Sequence, residues 1–541
     1  MKKRIFTLCL ALIMAAGTIT GCGSNKTKET EKTSLKGTGI QSEDKKVKEE
    51  LVFVNYRDIR DLNPHLYAGE MYAQDMLYDT LVTITKDGYE GGLAESWDIS
   101  EDGKVYTFHI RKGVYFSDGE ICDANAIKAN FDAIIQNKER HTWLEMMNLL
   151  VGVEAPDEKT FVIKLSQPYY PLLTELGVTR PFAMISPKAM IDGGTKDGVK
   201  EYIGTGPYVL KEFETDKYAV FEVNEKYWGN KPAIKKITVK VIPDNQTRIL
   251  ALEKGEIDLI YGKNMIDADA ISKYTDSKDV SVAMSDATST RHLVLNTTND
   301  ILSDTNVRKA LQQATDKKAI SEGIFYGLEE PADYLYAKSI PYCNVDLKPY
   351  EYNLEVANQL LDEAGWTKKN SEVREKDGKK LELDLLYNSD SVTEKSIAEL
   401  LQSEYKEIGV QINITGQEEQ SYRDNMKAGN FDIVFNICWG TPYDPQSSLS
   451  AMTAPVYGDY AAQQGLENKA EIDDAIEKIL VSTDETKRQE LYKYVLTSLH
   501  QDAVYIPLTY ERNKAIFSSE LEGVTFTQSQ YEVPFYRMNF K

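Results

Sequence analysis

A mixed α/β fold of more than one lobe is what this chain of 541 residues supports. Three observations carry that reading. Apolar residues switch repeatedly between strict alternation and helical spacing, which argues for interleaved strands and helices. Past residue 21 about 520 residues remain, more than one hydrophobic core ordinarily serves. After Ala16 no run approaches the ~18 apolar residues that a membrane helix needs, so the body is expected to be soluble.

The elements follow in chain order. Lys2, Lys3 and Arg4 precede an apolar run from Ile5 to Ala16, too short to span a bilayer but of secretory length. Ile19-Thr20-Gly21-Cys22 then places a small residue directly before cysteine, which looks like a bacterial lipoprotein signal. Residues 1–21 are therefore expected to be removed as a signal peptide and Cys22 to be lipidated. That puts the chain on the extracytoplasmic face of the cell membrane, touching lipid only through its anchor. Residues 22–50, rich in Lys, Thr, Ser and Glu, cannot bury enough apolar surface to order and should form a flexible tether. Its root-mean-square reach is on the order of 30 Å.

Leu51–Val54 reads as the first strand and Tyr72–Leu81 as a helix. Val105–Phe116 is strand-like and ends at a Ser117-Asp118-Gly119 turn. Asn125–Gln136 has helical spacing after Asp123, a residue suited to cap it. Gly204-Thr205-Gly206 turns the chain before a strand. Ile237–Pro243 is a clean alternating strand, Thr247–Lys254 a helix and Ile257–Ile260 a strand. Helices are expected over Val307–Thr315, Asn353–Ala364 and Val392–Ile408, and strands over Leu381–Tyr387 and Val410–Ile414.

Charge and composition exclude several classes. Residues 1–21 hold three basic and no acidic groups, so the remainder carries −25 against −22 for the whole. Such a surface repels nucleic acid and anionic lipid. Cys122, Cys343 and Cys438, apart from Cys9 and Cys22, are widely spaced and form no Cys-x-x-Cys pair, so neither a disulfide framework nor a zinc-thiolate site is expected. His141 and Glu145 share metal-site spacing, but with only His65, His109, His292 and His500 elsewhere no third ligand is evident. A secreted hydrolase would need a nucleophile with its base, or a hydrolytic metal. No His-Glu-x-x-His, Gly-x-Ser-x-Gly or phosphate-cradling Gly-x4-Gly-Lys-Ser/Thr run occurs, so the chain is not expected to be an enzyme or to hold a cofactor.

Several runs in fixed order give the chain its resemblance. They are Leu62-Asn63-Pro64-His65, Leu93-Ala94-Glu95-Ser96-Trp97, Phe116–Gly119, Gly204–Tyr208, Asn224–Gly229 with Lys231-Pro232, Gly255–Asp258, Asn306–Leu311 and Ala364-Gly365-Trp366. Together they resemble the solute-binding proteins of ABC importers, in the oligopeptide, dipeptide and nickel class. Arg140–Glu145, Tyr169-Tyr170-Pro171 and Trp439–Pro445 are most similar to the nickel-chelate-binding lipoproteins of that class.

That resemblance implies a large two-lobed, three-subdomain periplasmic-binding-protein-like fold with its ligand cleft between the lobes. Lobe I is expected from 51–87, 204–288 and 505–541, an inserted subdomain on its side from 88–203, and lobe II from 289–504. It implies a monomer that captures a nickel or related transition-metal chelate and hands it to a permease driven by separate ATPase subunits. Capture of a di- or oligopeptide is the alternative. Arg140, Trp439 and Tyr443 carry over as cleft residues, and Tyr67 and Met71 match positions near the ligand. Arg140 offers a planar fork of donors for a carboxylate, and the aromatics offer a wall. The chain departs from the nickel type at Tyr457, which stands where those receptors have histidine, so no protein atom is expected to bind the metal directly. The run Arg291-His292, where the family's chain crosses between lobes, is expected to add a second ligand contact through Arg291.

Overall fold

Residues 48–541, apart from 264, 275 and 369–371, are described by a computed structural model. The expected signal peptide and lipidated Cys22 lie outside the described residues, as does the tether up to residue 47. Residues 48–50 are already ordered: Lys48 Nζ donates to Asp258 at 2.6 Å, and Glu50 opens the first strand.

That strand, Glu50–Asn55, runs parallel to Lys236–Val241 on one side and to Leu259–Tyr261 on the other. A strand paired on both edges and covered on both faces must bury successive side chains. Phe53 accordingly enters one core with Tyr72, Phe221 and Phe535, while Val54 enters another with Ile249, Ile257 and Ile271.

The strand belongs to an eleven-stranded mixed sheet. Two long antiparallel strands in it, Val280–Leu295 and Tyr505–Ser518, serve both lobes. Val280–Met284 lies against Lys514–Ser518, beside Leu259–Tyr261. Further along, Arg291–Leu295 pairs with Ile433–Ile437, which adjoins Glu382–Asn388 and then Gln411–Gln417. The expected cut at 288/289 thus falls inside a continuous strand, and Ile506 and Leu508 pack in the lobe II core. Pairing register slips between Met284 and Ala287, between Ala287 and Ser289, and between Arg291 and His292. Such irregularities bend a strand and re-aim its side chains.

In lobe II the period-two rule sorts the core. Leu293, Leu295, Ile433 and Phe435 face helices Thr305–Gln313, Leu354–Glu363 and Val392–Glu407. Val294 and Val434 face the opposite layer, built from Glu419–Ala428, Lys469–Val481 and Glu485–Gln501. A four-stranded antiparallel sheet, ordered Ala94–Ile99, Val105–Ile110, Thr160–Leu165 and Leu150–Asp157, forms a separate layer. Helix Ala124–Ile135 covers it, capped by Asp123, which accepts from Ala126 N at 2.9 Å, as the sequence leads one to expect. Phe131 on that helix meets Phe161 with ring centroids 4.9 Å apart.

Two elements are shorter than their spacing predicts. The helix expected over Tyr72–Leu81 is Met71–Leu77, and Tyr78 is already extended. Gly206 N takes the Leu77 carbonyl at 2.9 Å, and a Cβ on Gly206 would stand 2.5 Å from the Leu77 carbonyl carbon. The glycine turn therefore docks on this helix end and stops it. The strand expected over Val105–Phe116 ends at Ile110, and Tyr115 bridges Ile121 instead. Among the described residues Cys122, Cys343 and Cys438 are free thiols, and no helix is long and apolar enough to cross a membrane.

Candidate functional site

A cavity of about 460 Å³ lies between the lobes, walled on one side by Tyr67, Met71, Trp143 and Arg180. The facing wall carries His292, Tyr422, Arg423, Trp439, Tyr443 and Tyr457, and Tyr531 also lines the space. The walls meet edge to face: Trp143 sits 5.8 Å from both Trp439 and Tyr443, and Trp439 sits 6.2 Å from Tyr457. Aromatic rings in this arrangement make a rigid, largely apolar frame around the space they enclose.

Local structure positions each group. Met71 opens the helix Met71–Leu77, so its side chain reaches the cavity while the rest of the helix packs inward. Tyr67 OH accepts from Trp143 Nε1 at 2.9 Å and shares a hydrogen bond with His141 Nδ1 at 2.7 Å. Burial pushes the Tyr67 phenol up to about 12, so it stays protonated. Trp439 and Tyr443 ride a tight loop in which Asp444 accepts from Gly440 N at 2.7 Å, and burial raises Asp444 to about 6. Gln530 Nε2 holds the Trp439 carbonyl at 2.7 Å, tying this loop to the C-terminal segment.

Arg180 is the distinctive charge. Its Nη1 donates to the carbonyls of Tyr67 at 3.0 Å and Gly69 at 2.9 Å, which fixes the guanidinium against the cavity. No carboxylate among the described residues forms an ion pair with it, whereas Arg423 on the facing wall is paired with Glu419. Asp75 acts on it through space, but burial raises the Asp75 carboxyl well above the usual carboxylate range and so favours its neutral form. A half-buried cation with no ion-paired carboxylate favours an anionic guest.

The sequence-expected residues divide. Tyr67, Met71, Trp439, Tyr443 and Tyr457 come together on the cavity wall. Arg140 is exposed and outside the lining; its guanidinium carbon lies 5.8 Å from the Tyr67 ring centroid, as does that of Arg180. Arg291 is not on the wall. It is buried and turned to Glu511, with Nη2 2.5 Å from the carboxylate, while Lys263 reaches the same group at 3.2 Å. Burial alone would raise the Glu511 carboxyl, but Lys263, Arg291 and Ser289 together hold it well below the usual range. The guanidinium that was expected to meet ligand therefore neutralises a buried acid, and the next residue, His292, lines the cavity instead. Arg180, Trp143, Tyr422 and Tyr531 went unrecognised as wall residues. Only Trp143 had a usable signal, its place within Arg140–Glu145.

Two crossing strands shared by two lobes, with a small aromatic and cationic cavity between them, are the frame of a protein that binds a small solute between its halves. Residues 88–459 match the family described as bacterial extracellular solute-binding proteins, family 5, middle, and the chain belongs to that family. It is 41% identical over 482 residues to the nickel-binding periplasmic protein of Escherichia coli K12, covering 88% of this chain and 92% of that one. The crystal structure of NikA from Brucella suis in complex with Fe(III)-EDTA superposes with a TM-score of 0.88 at 44% identity, over 91% of this chain and all of that one. The dipeptide-binding protein of Escherichia coli K12 is 28% identical over 481 residues, 84% of this chain and 88% of that one. Fold and family are those the resemblance implied, and the relatives named here are binding proteins.

Proposed function

We propose that this chain is the lipid-anchored, extracytoplasmic receptor of an ABC importer and that its cargo is nickel, or a related transition metal, wrapped by a small carboxylate-bearing chelator. The observation that carries this reading is Arg180, a cation without a carboxylate partner on the wall of a cavity of about 460 Å³. That volume is at the small end for ligand sites, suited to a compact chelate rather than an extended peptide. The names of the Escherichia coli and Brucella suis relatives support the same class of guest.

In this reading Arg180 grips free carboxylates of the chelate and Arg140 adds positive field at the rim. Trp143, Trp439, Tyr443 and Tyr457 enclose its organic part, with Tyr67 and Met71 beneath. Closure follows because one guest touches both lobes. The closed monomer is what permease and ATPase subunits act on, and Cys22 supplies the lipid anchor. The guest leaves chemically unchanged.

Native mass spectrometry of protein purified from its own host, with elemental analysis of the released ligand, tests the proposal. A low-mass acidic ligand with stoichiometric nickel is expected. A bound di- or oligopeptide without metal, or a chemically altered ligand, refutes it.

A further inference from the structure

The imidazole of His292 is the one buried base on the cavity wall that the reading above leaves without a task. It is 1% exposed, and it is the only histidine lining the cavity among the described residues. Its Nδ1 lies 3.1 Å from the Thr290 carbonyl. A carbonyl can only accept, so Nδ1 carries the proton and Nε2 carries a lone pair. That Nε2 is buried and has no hydrogen-bond partner. Burying an acceptor unsatisfied costs about 1–3 kcal/mol, which marks it as a group awaiting a guest.

Strand geometry explains how it got there. Arg291 and His292 are neighbours on one strand and project to opposite faces, Arg291 to Glu511 and His292 to the cavity. Arg291 pairs with Thr509 and His292 with Pro507, so Leu508 is an extra residue at this step. The bulge bends the crossing strand where the imidazole leaves it. Tyr505 packs edge to face on the ring at 5.3 Å and limits its rotation.

We propose that His292 is the receptor's own metal ligand: its Nε2 takes an open coordination position of a divalent first-row metal carried by a small carboxylate chelator. The inference rests on the metal-chelate reading above and adds the protein atom that completes the metal's shell. A ring whose far nitrogen is tied to a backbone carbonyl is the common arrangement of a metal-binding histidine. Imidazole suits nickel, copper and zinc alike.

The charges divide to match. Arg180 faces the chelate's carboxylates from lobe I. The opposite wall contributes Glu394, Glu419 and Asp459 against one guanidinium, Arg423, a surround that favours a cationic centre. Burial lowers the His292 pKa, so the ring meets the metal as the neutral base and Nε2 replaces a metal-bound water without releasing a proton. Cys438 Sγ, 3.9 Å from His292 Nδ1, does not compete; burial keeps it a thiol, and it points to the Leu335 carbonyl at 3.4 Å. Tyr457 offers the site only a phenol.

The test compares two nickel complexes on the full chain. Nitrilotriacetate leaves coordination positions open on nickel, whereas EDTA fills them. His292→Ala should weaken nickel nitrilotriacetate by about tenfold or more and leave nickel EDTA within twofold of the unsubstituted chain. Nickel-edge X-ray absorption of the nitrilotriacetate complex should show imidazole scattering in the unsubstituted chain and lose it in His292→Gln. Equal weakening of both complexes, unchanged affinity for both, or imidazole scattering that persists without His292 overturns the inference. Should neither variant fold, absence of imidazole scattering from the unsubstituted complex overturns it alone. If the unsubstituted chain binds neither complex but binds dipeptides, the metal-chelate reading itself fails and takes this inference with it.

Discussion

Replacing Arg180 by methionine is the perturbation that separates a carboxylate-gripping cavity from an aromatic one. Methionine keeps much of the apolar stem and removes the guanidinium. In the empty protein the change loses the bonds from Nη1 to the carbonyls of Tyr67 and Gly69, a modest cost at a half-buried site. In the complex it leaves a carboxylate of the guest facing a closed space with no fixed cation, since Arg423 is already paired with Glu419. Hydrogen bonds to charged groups contribute about 1.5–3 kcal/mol each. A loss of about 2–3 kcal/mol in affinity is therefore expected, roughly 30- to 150-fold. Arg180→Lys should fall between, because an ammonium keeps the charge but not the planar fork. Trp143 and Trp439 both line the cavity, so tryptophan emission during titration with a nickel chelate reads the affinity directly. Binding by Arg180→Met within threefold of the unsubstituted chain refutes the argument from its missing counter-ion.

Two further outcomes follow from buried charge. Arg291→Met should destabilise the fold by about 3 kcal/mol, the low end for breaking a buried pair because Lys263 still reaches Glu511. Affinity per folded molecule should stay within twofold; a tenfold loss of binding at unchanged melting temperature would return Arg291 to the ligand site. Glu175 is 1% exposed and burial pushes it up to about 8, with Tyr169 OH donating to it at 2.5 Å. Folded protein thus keeps this proton after the unfolded chain has lost it. Glu175's contribution to stability should fall as pH rises from about 4.5 to about 8, by up to about 1.4 kcal/mol per pH unit. Glu175→Gln should flatten that part of the denaturation profile, and an unchanged slope would show that Glu175 is ionised when buried.

Helix Ala124–Ile135 shows how much of the fold is legible in sequence. Its spacing and its Asp123 cap are local properties, so the element and its start can be read from neighbouring residues alone. The division of Leu293 and Leu295 from Val294 between two cores is likewise written in period-two order. Helix Met71–Leu77 shows the limit, because a glycine turn more than a hundred residues away ends it.

The candidate site divides along the same line. Trp439, Tyr443, Tyr67, Met71 and Tyr457 were reachable because short runs around them resemble a known class, and the structure brings all five to one cavity, on its two facing walls. Arg140 carried the same resemblance and stands outside that lining. Arg180 lies in Thr179–Phe182, a stretch with no periodic or motif signal, and matters only because folding leaves it a cation without a carboxylate.

Sequence by itself determined the α/β character and the local caps, which depend on neighbours along the chain, and the net acidity, which depends on composition; part of the aromatic cleft was legible through runs that resemble a known class. Tertiary structure alone decided which of two adjacent residues lines the cavity. Alternation says that Arg291 and His292 point opposite ways. Only the pairing with Thr509 and Pro507, and the buried carboxylate of Glu511 waiting on one side, settle which way is in.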